Sequence, residues 1–307
     1  MAPALVEIMS EFFKALEQAE RDRRRLDGVE ASDRGKDGKK GEAREVASER
    51  VPAPPAIREV PRRWPAPETA KRKSRDGLPM LVTHVDPNSI AAEAYRTLRT
   101  NLEFTLGDDA CRHIAVTSAV PGSGKSTAAA NLAVVTAQAG RRVCLVDADF
   151  WRPVLHDVFG VSNTDGLRAT LEGKLGFLNV ARKTAMENLS IVPSGQNGAA
   201  PVQHFFTRQR LQHVLQEASN HFDVIIYDTP PLLSTSDAVN VTAVCDGAVL
   251  VVQYGSIPPS VLRRAVQQVT QVNGRILGVL LNRVDPRGGD DEVYGYYRGY
   301  HGDKGRR

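Results

Sequence analysis

The 307-residue chain has little of several things, and each shortage excludes something. It has only three cysteines, Cys111, Cys144 and Cys245. They lie far apart and form no C-x-x-C pair, which argues against a disulfide framework or a zinc site and for a reducing compartment. No stretch approaches the roughly 18 uninterrupted apolar residues that a membrane-spanning helix needs. The first residues lack a basic stretch followed by an apolar one and a cleavage site, so secretion is not expected. Net charge is only +4, too small to imply nucleic acid unless the basic residues share one face. Aromatics are scarce at 6%, yet four of the seven tyrosines fall in the last fourteen residues.

What is present divides the chain into four parts. In residues 1–27, Leu5, Met9, Phe12 and Leu16 recur at three- and four-residue steps, with Phe13 widening the stripe. This predicts an amphipathic helix. Its flanking charges, among them Glu17, Glu20, Arg21 and Arg25, are mixed in sign. Mixed charge suits a partner or the body better than an anionic membrane surface. Residues 28–77 are dense in charge and then in proline, with few large apolar residues, and read as a disordered linker. Residues 78–288 have globular texture. Residues 289–307 carry Tyr294, Tyr296, Tyr297 and Tyr300 among glycines, which predicts a flexible tail.

Within 78–288, short apolar runs alternate with helical periods. The runs are 113–119, 142–149, 189–193, 222–228, 248–254 and 276–282. The helices are 89–104, 125–139, 202–220, 236–245 and 259–272. Continuous apolar strands separated by helices predict an α/β fold, a doubly wound and mostly parallel sheet covered on both faces. Ligands of such sheets bind at the carboxyl ends of the strands.

The first run leads into Ala119-Val-Pro-Gly122-Ser123-Gly124-Lys125-Ser126-Thr127, directly before a helix. This is a P-loop with alanine in place of the usual first glycine. Gly122 and Gly124 let backbone N–H groups turn toward phosphate oxygens, and the helix directs its positive end at the same anion. Lys125 suits the β- and γ-phosphates, Ser126 a magnesium ion, and Thr127 the α-phosphate. The second run ends in Asp147-Ala-Asp149 and the fourth in Asp228-Thr-Pro-Pro, a Walker B arrangement. With Ser126, Asp149 and Asp228 are candidate magnesium ligands. Three acids around one ion repel, so one of them acts through water or as a base. Asn282 closes the sixth run and offers a donor and an acceptor suited to a nucleobase edge.

These elements in this order resemble the P-loop domain of bacterial tyrosine autokinases (BY-kinases) of capsular and exopolysaccharide biosynthesis, in their soluble form. The likeness spans about residues 78–300. It rests on the P-loop, on Val-Asp147-Ala-Asp149 with Arg152-Pro153 after it, on Asp228-Thr-Pro-Pro, and on Glu93-Ala-Tyr-Arg96-Thr-Leu-Arg99. The opening Met9-Ser-Glu-Phe-Phe-Lys-Ala-Leu-Glu is also similar. The resemblance implies a ParA/MinD-like P-loop NTPase fold. It implies transfer of the γ-phosphoryl of ATP, with Mg2+, to the tail tyrosines Tyr294, Tyr296, Tyr297 and Tyr300 of a neighbouring subunit. Lys125, Asp147, Asp149 and Asp228 are the expected catalytic groups, with Asp147 taking the phenol proton. Glu93, Arg96 and Arg99 are expected to join subunits into a ring.

The resemblance further implies a separate inner-membrane polysaccharide co-polymerase as activator and a tyrosine phosphatase as counterpart, with no nucleic-acid partner. It implies a cytoplasmic protein held peripherally at the inner face of the plasma membrane. One position departs from the family pattern Asp-x-Asp-x-Arg: Trp151 stands where arginine is expected, so either Arg152, one place later, substitutes for it or the residue serves another local role. That departure keeps open a non-catalytic ATP-binding regulator of the polysaccharide machinery. A ParA/MinD-type positioning ATPase is the other alternative. Against it, Val120 occupies the place of that group's signature lysine, and that group lacks a tyrosine tail.

Overall fold

The computed structural model describes residues 81–107, 112–196 and 205–284, all within one unit of the chain, residues 73–307. The expected N-terminal helix, the linker, Cys111 and the four tail tyrosines lie outside the described residues.

The helices are α1 (Val82–Val85), α2 (Ile90–Leu106), α3 (Lys125–Gln138), α4 (Leu155–Phe159), α5 (Leu167–Leu171), α6 (Phe177–Val180), α7 (Arg208–Ser219), α8 (Ser236–Thr242) and α9 (Pro259–Gln271). The strands are β1 (Arg112–Ser118), β2 (Val143–Asp147), β3 (Arg182–Lys183), β4 (Leu189–Val192), β5 (Val224–Asp228), β6 (Gly247–Gln253) and β7 (Ile276–Asn282). The strands form one sheet in the order β3-β4-β2-β5-β1-β6-β7. Every pair is parallel except β3 with β4. The parallel-sheet expectation therefore holds.

The central strands show why. Every residue of β2 and β5 is buried, and a strand covered on both faces must be apolar throughout. α3 lies against the sheet with residues 128–137 all buried, five of them alanine, and α2 covers it through Tyr95 and Leu102. Ser89 starts α2 by accepting a hydrogen bond from the Ala92 N–H (3.2 Å).

Most boundaries shift by one or two residues from the sequence reading, and three of the shifts bear on the account. The second run stops being a strand at Asp147 rather than 149, because the Asp147 side chain accepts from the Asp149 N–H and turns the chain. α7 starts at Arg208 rather than 202, with Thr207 accepting from the Arg210 N–H. α8 ends at Thr242 rather than 245. The two-residue β3 and the short helices α1, α4, α5 and α6 had no sequence expectation, since each is too short to show a period.

Strand register brings the chemistry together. Asp228 is the Cα partner of Val116 on one side and of Asp147 on the other. The P-loop after β1, the Walker B aspartate of β5 and the acidic pair after β2 therefore emerge from three adjacent strands at one edge.

Candidate active site

The loop before α3 requires its glycines. Gly122 has φ 84° and Gly124 φ 89°, in the left-handed region that penalises a Cβ. A Cβ on Gly124 would also lie 2.1 Å from the Asn282 Nδ2. Ser123, almost fully buried, donates its hydroxyl to the Val120 carbonyl (3.0 Å). Gly124 then precedes the first turn of α3, whose free N–H groups make an anion site.

Asn282 approaches this loop from β7. Its Nδ2 donates to the Ser123 carbonyl (2.8 Å), and its Oδ1 accepts from the Arg283 N–H (2.9 Å). The side chain that the sequence suggested for a nucleobase edge braces the phosphate loop.

The carboxylates approach from the opposite side. Lys125 Nζ lies 2.8 Å from Asp149 Oδ2 and 3.7 Å from Asp228 Oδ1, and donates to the Ser126 hydroxyl at 3.3 Å. Burial pulls the Lys125 pKa down, but the charges of Asp228 and Asp149 outweigh it and hold the ammonium above its ordinary value.

Asp228 is fully buried, and neither of its oxygens meets ordinary hydrogen-bond geometry among the described residues. Burial pushes its pKa up, while nearby Lys125 and Ser126 draw it back down. A buried carboxylate 3.7 Å from one ammonium, with no short hydrogen bond of its own and a serine hydroxyl beside it, is what a hard divalent cation takes as a ligand. Among the described residues no group of three or more His, Cys, Asp or Glu side chains is arranged to hold a metal by itself. The donor set therefore fits an ion whose remaining ligands are phosphate and water.

Asp147 is fully buried too. Its Oδ1 accepts from the Asp149 N–H (3.2 Å), and its Oδ2 from the Val154 (3.2 Å) and Leu155 (3.1 Å) N–H groups. Burial, with the Asp228 charge second, pushes its pKa up to about 8. The three backbone bonds use three of about four lone-pair sites, which leaves one on Oδ1.

The structure thus collects Gly122, Ser123, Gly124, Lys125, Ser126, Thr127, Asp147, Asp149, Asp228 and Asn282 at one edge of the sheet. Glu93, Arg96 and Arg99 lie elsewhere, on α2. Arg96 pairs with Glu93 at 2.7 Å, and Arg99 Nε lies 3.8 Å from Glu103.

Two residues that the sequence reading missed support the site. Asn131 on α3 accepts from Thr83 N (3.1 Å) and Oγ1 (3.0 Å) and donates to the Thr127 carbonyl (2.8 Å), tying α1 to the P-loop helix. Asp237, buried in the first turn of α8, accepts from the Trp151 indole N–H at 3.3 Å. An asparagine within an alanine-rich helix was the signal available for Asn131; Asp237 gave none.

Comparison with known proteins agrees with the P-loop fold. A family model described as ParA, NUBPL iron-transfer P-loop NTPase, matches residues 110–286. The chain is 35% identical over 217 residues to the Bacillus subtilis tyrosine-protein kinase YwqD, covering 71% of this chain and 90% of that one. It is 34% identical over 212 residues to the tyrosine-protein kinase CpsD of Streptococcus agalactiae, covering 68% and 89%. The solved kinase domain of the Escherichia coli tyrosine kinase ETK superposes with a TM-score of 0.65 at 32% identity, over 75% of this chain and 89% of that one.

Proposed function

The chain belongs to the bacterial tyrosine-protein kinases within the ParA-type P-loop NTPases, and on that premise we propose that it transfers the γ-phosphoryl of ATP to Tyr294, Tyr296, Tyr297 and Tyr300 of a neighbouring copy. The observation that carries this reading is the meeting of Lys125, Asp149 and Asp228 beside the P-loop, at the ends of three adjacent strands.

The transition state of such a transfer is loose, so catalysis consists of positioning and charge stabilisation. The P-loop amides and Lys125 hold the phosphates, and incoming phosphate oxygens compete with Asp149 for the Lys125 ammonium. Ser126, Asp149 and Asp228 are the residues that would hold Mg2+. When bound, that ion neutralises charge on the β- and γ-phosphates. Asp147 accepts the phenol proton through the remaining lone pair on Oδ1. Asn282 adds a contact to the base while bracing the loop.

We assign the catalytic body to residues 78–288 and the acceptor tail to 289–307, with 1–27 and 28–77 as docking helix and linker. The α2 face of Glu93, Arg96 and Arg99 joins copies head to tail, an arrangement that closes into a ring and delivers one tail to the next site. Each tail phosphate adds about −1.5 to −2 charges at neutral pH, which repels neighbouring tails and loosens the ring.

This cycle regulates capsular or exopolysaccharide polymerisation and export, together with a separate inner-membrane co-polymerase and a tyrosine phosphatase. Among the described residues no helix is long and apolar enough to cross a membrane. Recruitment to the inner face of the plasma membrane by that partner is consistent with this.

Mixing tests the reading. Full-length Lys125→Met serves as acceptor and a wild-type chain truncated after residue 288 as enzyme. Phosphotyrosine on the acceptor is the expected result. A wild-type protein that binds ATP but never forms phosphotyrosine would instead be a non-catalytic regulator.

A further inference from the structure

We propose that Trp151 is the surface on which the acceptor tyrosine of a second copy lays its phenol ring. This rests on the kinase reading and deepens it by naming what positions the substrate.

The residue is 63% exposed, yet its backbone and its ring are each held at one point. Its backbone N–H donates to Asp149 Oδ1 (3.2 Å), and its ring N–H donates to Asp237 Oδ2 (3.3 Å). Asp237 is 2% exposed and sits in the first turn of α8, just after the Walker B loop. The ring therefore bridges the loops that follow β2 and β5. A large apolar ring in solvent, fixed by a buried carboxylate, is already organised for a partner and loses little freedom on binding one.

Strand order fixes the side of the site. β1 carries the P-loop. β7, with Asn282 against Ser123, lies beyond β6 on one side of it; β5 and β2 lie on the other. Trp151 is on the β5/β2 side, and its anchor Asp149 is the carboxylate paired with Lys125. That is the side of the acids, opposite the asparagine that we assign to the base.

The chemistry of the indole selects the occupant. It supplies no positive charge for phosphate, so it does not replace the arginine of the family pattern. A flat π-face takes another aromatic ring in offset or edge-to-face contact. The chain offers four phenols in one short tail, 289–307. Adenine could stack on an indole equally well, so the experiment separates the two.

Trp151 is one of only two tryptophans, so Trp64→Phe makes it the sole emitter. In the full-length protein with ADP and Mg2+, a peptide of residues 289–307 should change Trp151 emission saturably. The same peptide with its four tyrosines replaced by leucine should not. Trp151→Ala should raise the KM for the peptide roughly 2- to 12-fold, the factor an aromatic pair contributes beyond its buried area, with kcat little changed. Trp151→Phe, which keeps a ring but loses the bond to Asp237, should recover part of that loss in KM. A structural role for Trp151 would not produce this split.

Unchanged KM in Trp151→Ala alongside active wild type would overturn the platform and leave the kinase standing. Emission that responds to adenine nucleotide but not to peptide would also overturn it. If wild type transfers no phosphate at all, the kinase reading fails. The emission titration then still decides whether the indole binds tyrosine.

Discussion

Lys125 and Asp149 form a short, almost fully enclosed ion pair, Nζ to Oδ2 at 2.8 Å, across the mouth of the phosphate loop. The pair neutralises part of a cluster that would otherwise hold three carboxylates together. It is also the contact that an incoming triphosphate has to replace.

Lys125→Met should therefore do two things. Phosphotransfer should fall by about 100-fold or more, as expected when a donor aimed at transition-state charge is lost. Stability should also fall, by about 3 kcal/mol, because Asp149 and Asp228 lose their buried cation. Autophosphorylation rates and urea midpoints measure the two effects separately. A variant as stable as wild type would mean that the pair contributes nothing to the fold.

Gly124 and Asn282 make a second test. Alanine at 124 meets both a φ of 89° and the carboxamide at 2.1 Å, so Gly124→Ala should abolish measurable nucleotide binding. Asn282→Ala removes the hydrogen bond to the Ser123 carbonyl and the proposed contact to the base, each worth about 1 kcal/mol, and should weaken nucleotide roughly 30-fold. Calorimetric titration with ADP measures both. Equal effects would show that the loop tolerates a Cβ as well as it tolerates loss of the brace.

His113 gives a pH prediction away from the phosphate site. Its Nδ1 faces the Tyr227 hydroxyl (3.1 Å) and its Nε2 the Ser219 hydroxyl (2.7 Å). Burial lowers its pKa, partly offset by the charge of Asp246. The folded chain thus binds the imidazole proton less readily than the unfolded chain, whose histidine titrates near 6.5. The stability that this supplies is complete above that value and is lost as pH falls below it. His113→Gln should flatten the fall in thermal midpoint between about pH 7 and 5. An unchanged slope would place the acid sensitivity elsewhere.

Much of the site was legible because its logic is local. The spacing from Gly122 to Thr127, and the aspartates closing apolar runs, carry their chemistry wherever a parallel sheet presents them. The contacts made across the fold were not legible. Asn131 reaches Thr83, 48 positions away, and Trp151 reaches Asp237, 86 positions away; neither leaves a periodic trace. The end of β2 was misjudged for a related reason. Ala148 and Asp149 read as further strand residues until the Asp147 side chain is seen bonding the Asp149 N–H. The bracing role of Asn282 was hidden similarly, since nothing in the sequence joins it to Ser123, 159 residues before it.

Mass spectrometry of the full-length protein after incubation with ATP and Mg2+, with Lys125→Met as control, tests the central claim most directly. Tyr95 and Tyr227 are buried, whereas Tyr254 is 53% exposed on the body. The account predicts phosphate on Tyr294, Tyr296, Tyr297 or Tyr300 in the wild type and none in the control. Phosphate confined to Tyr254, or no phosphotyrosine in a wild-type protein that binds ATP, would contradict it.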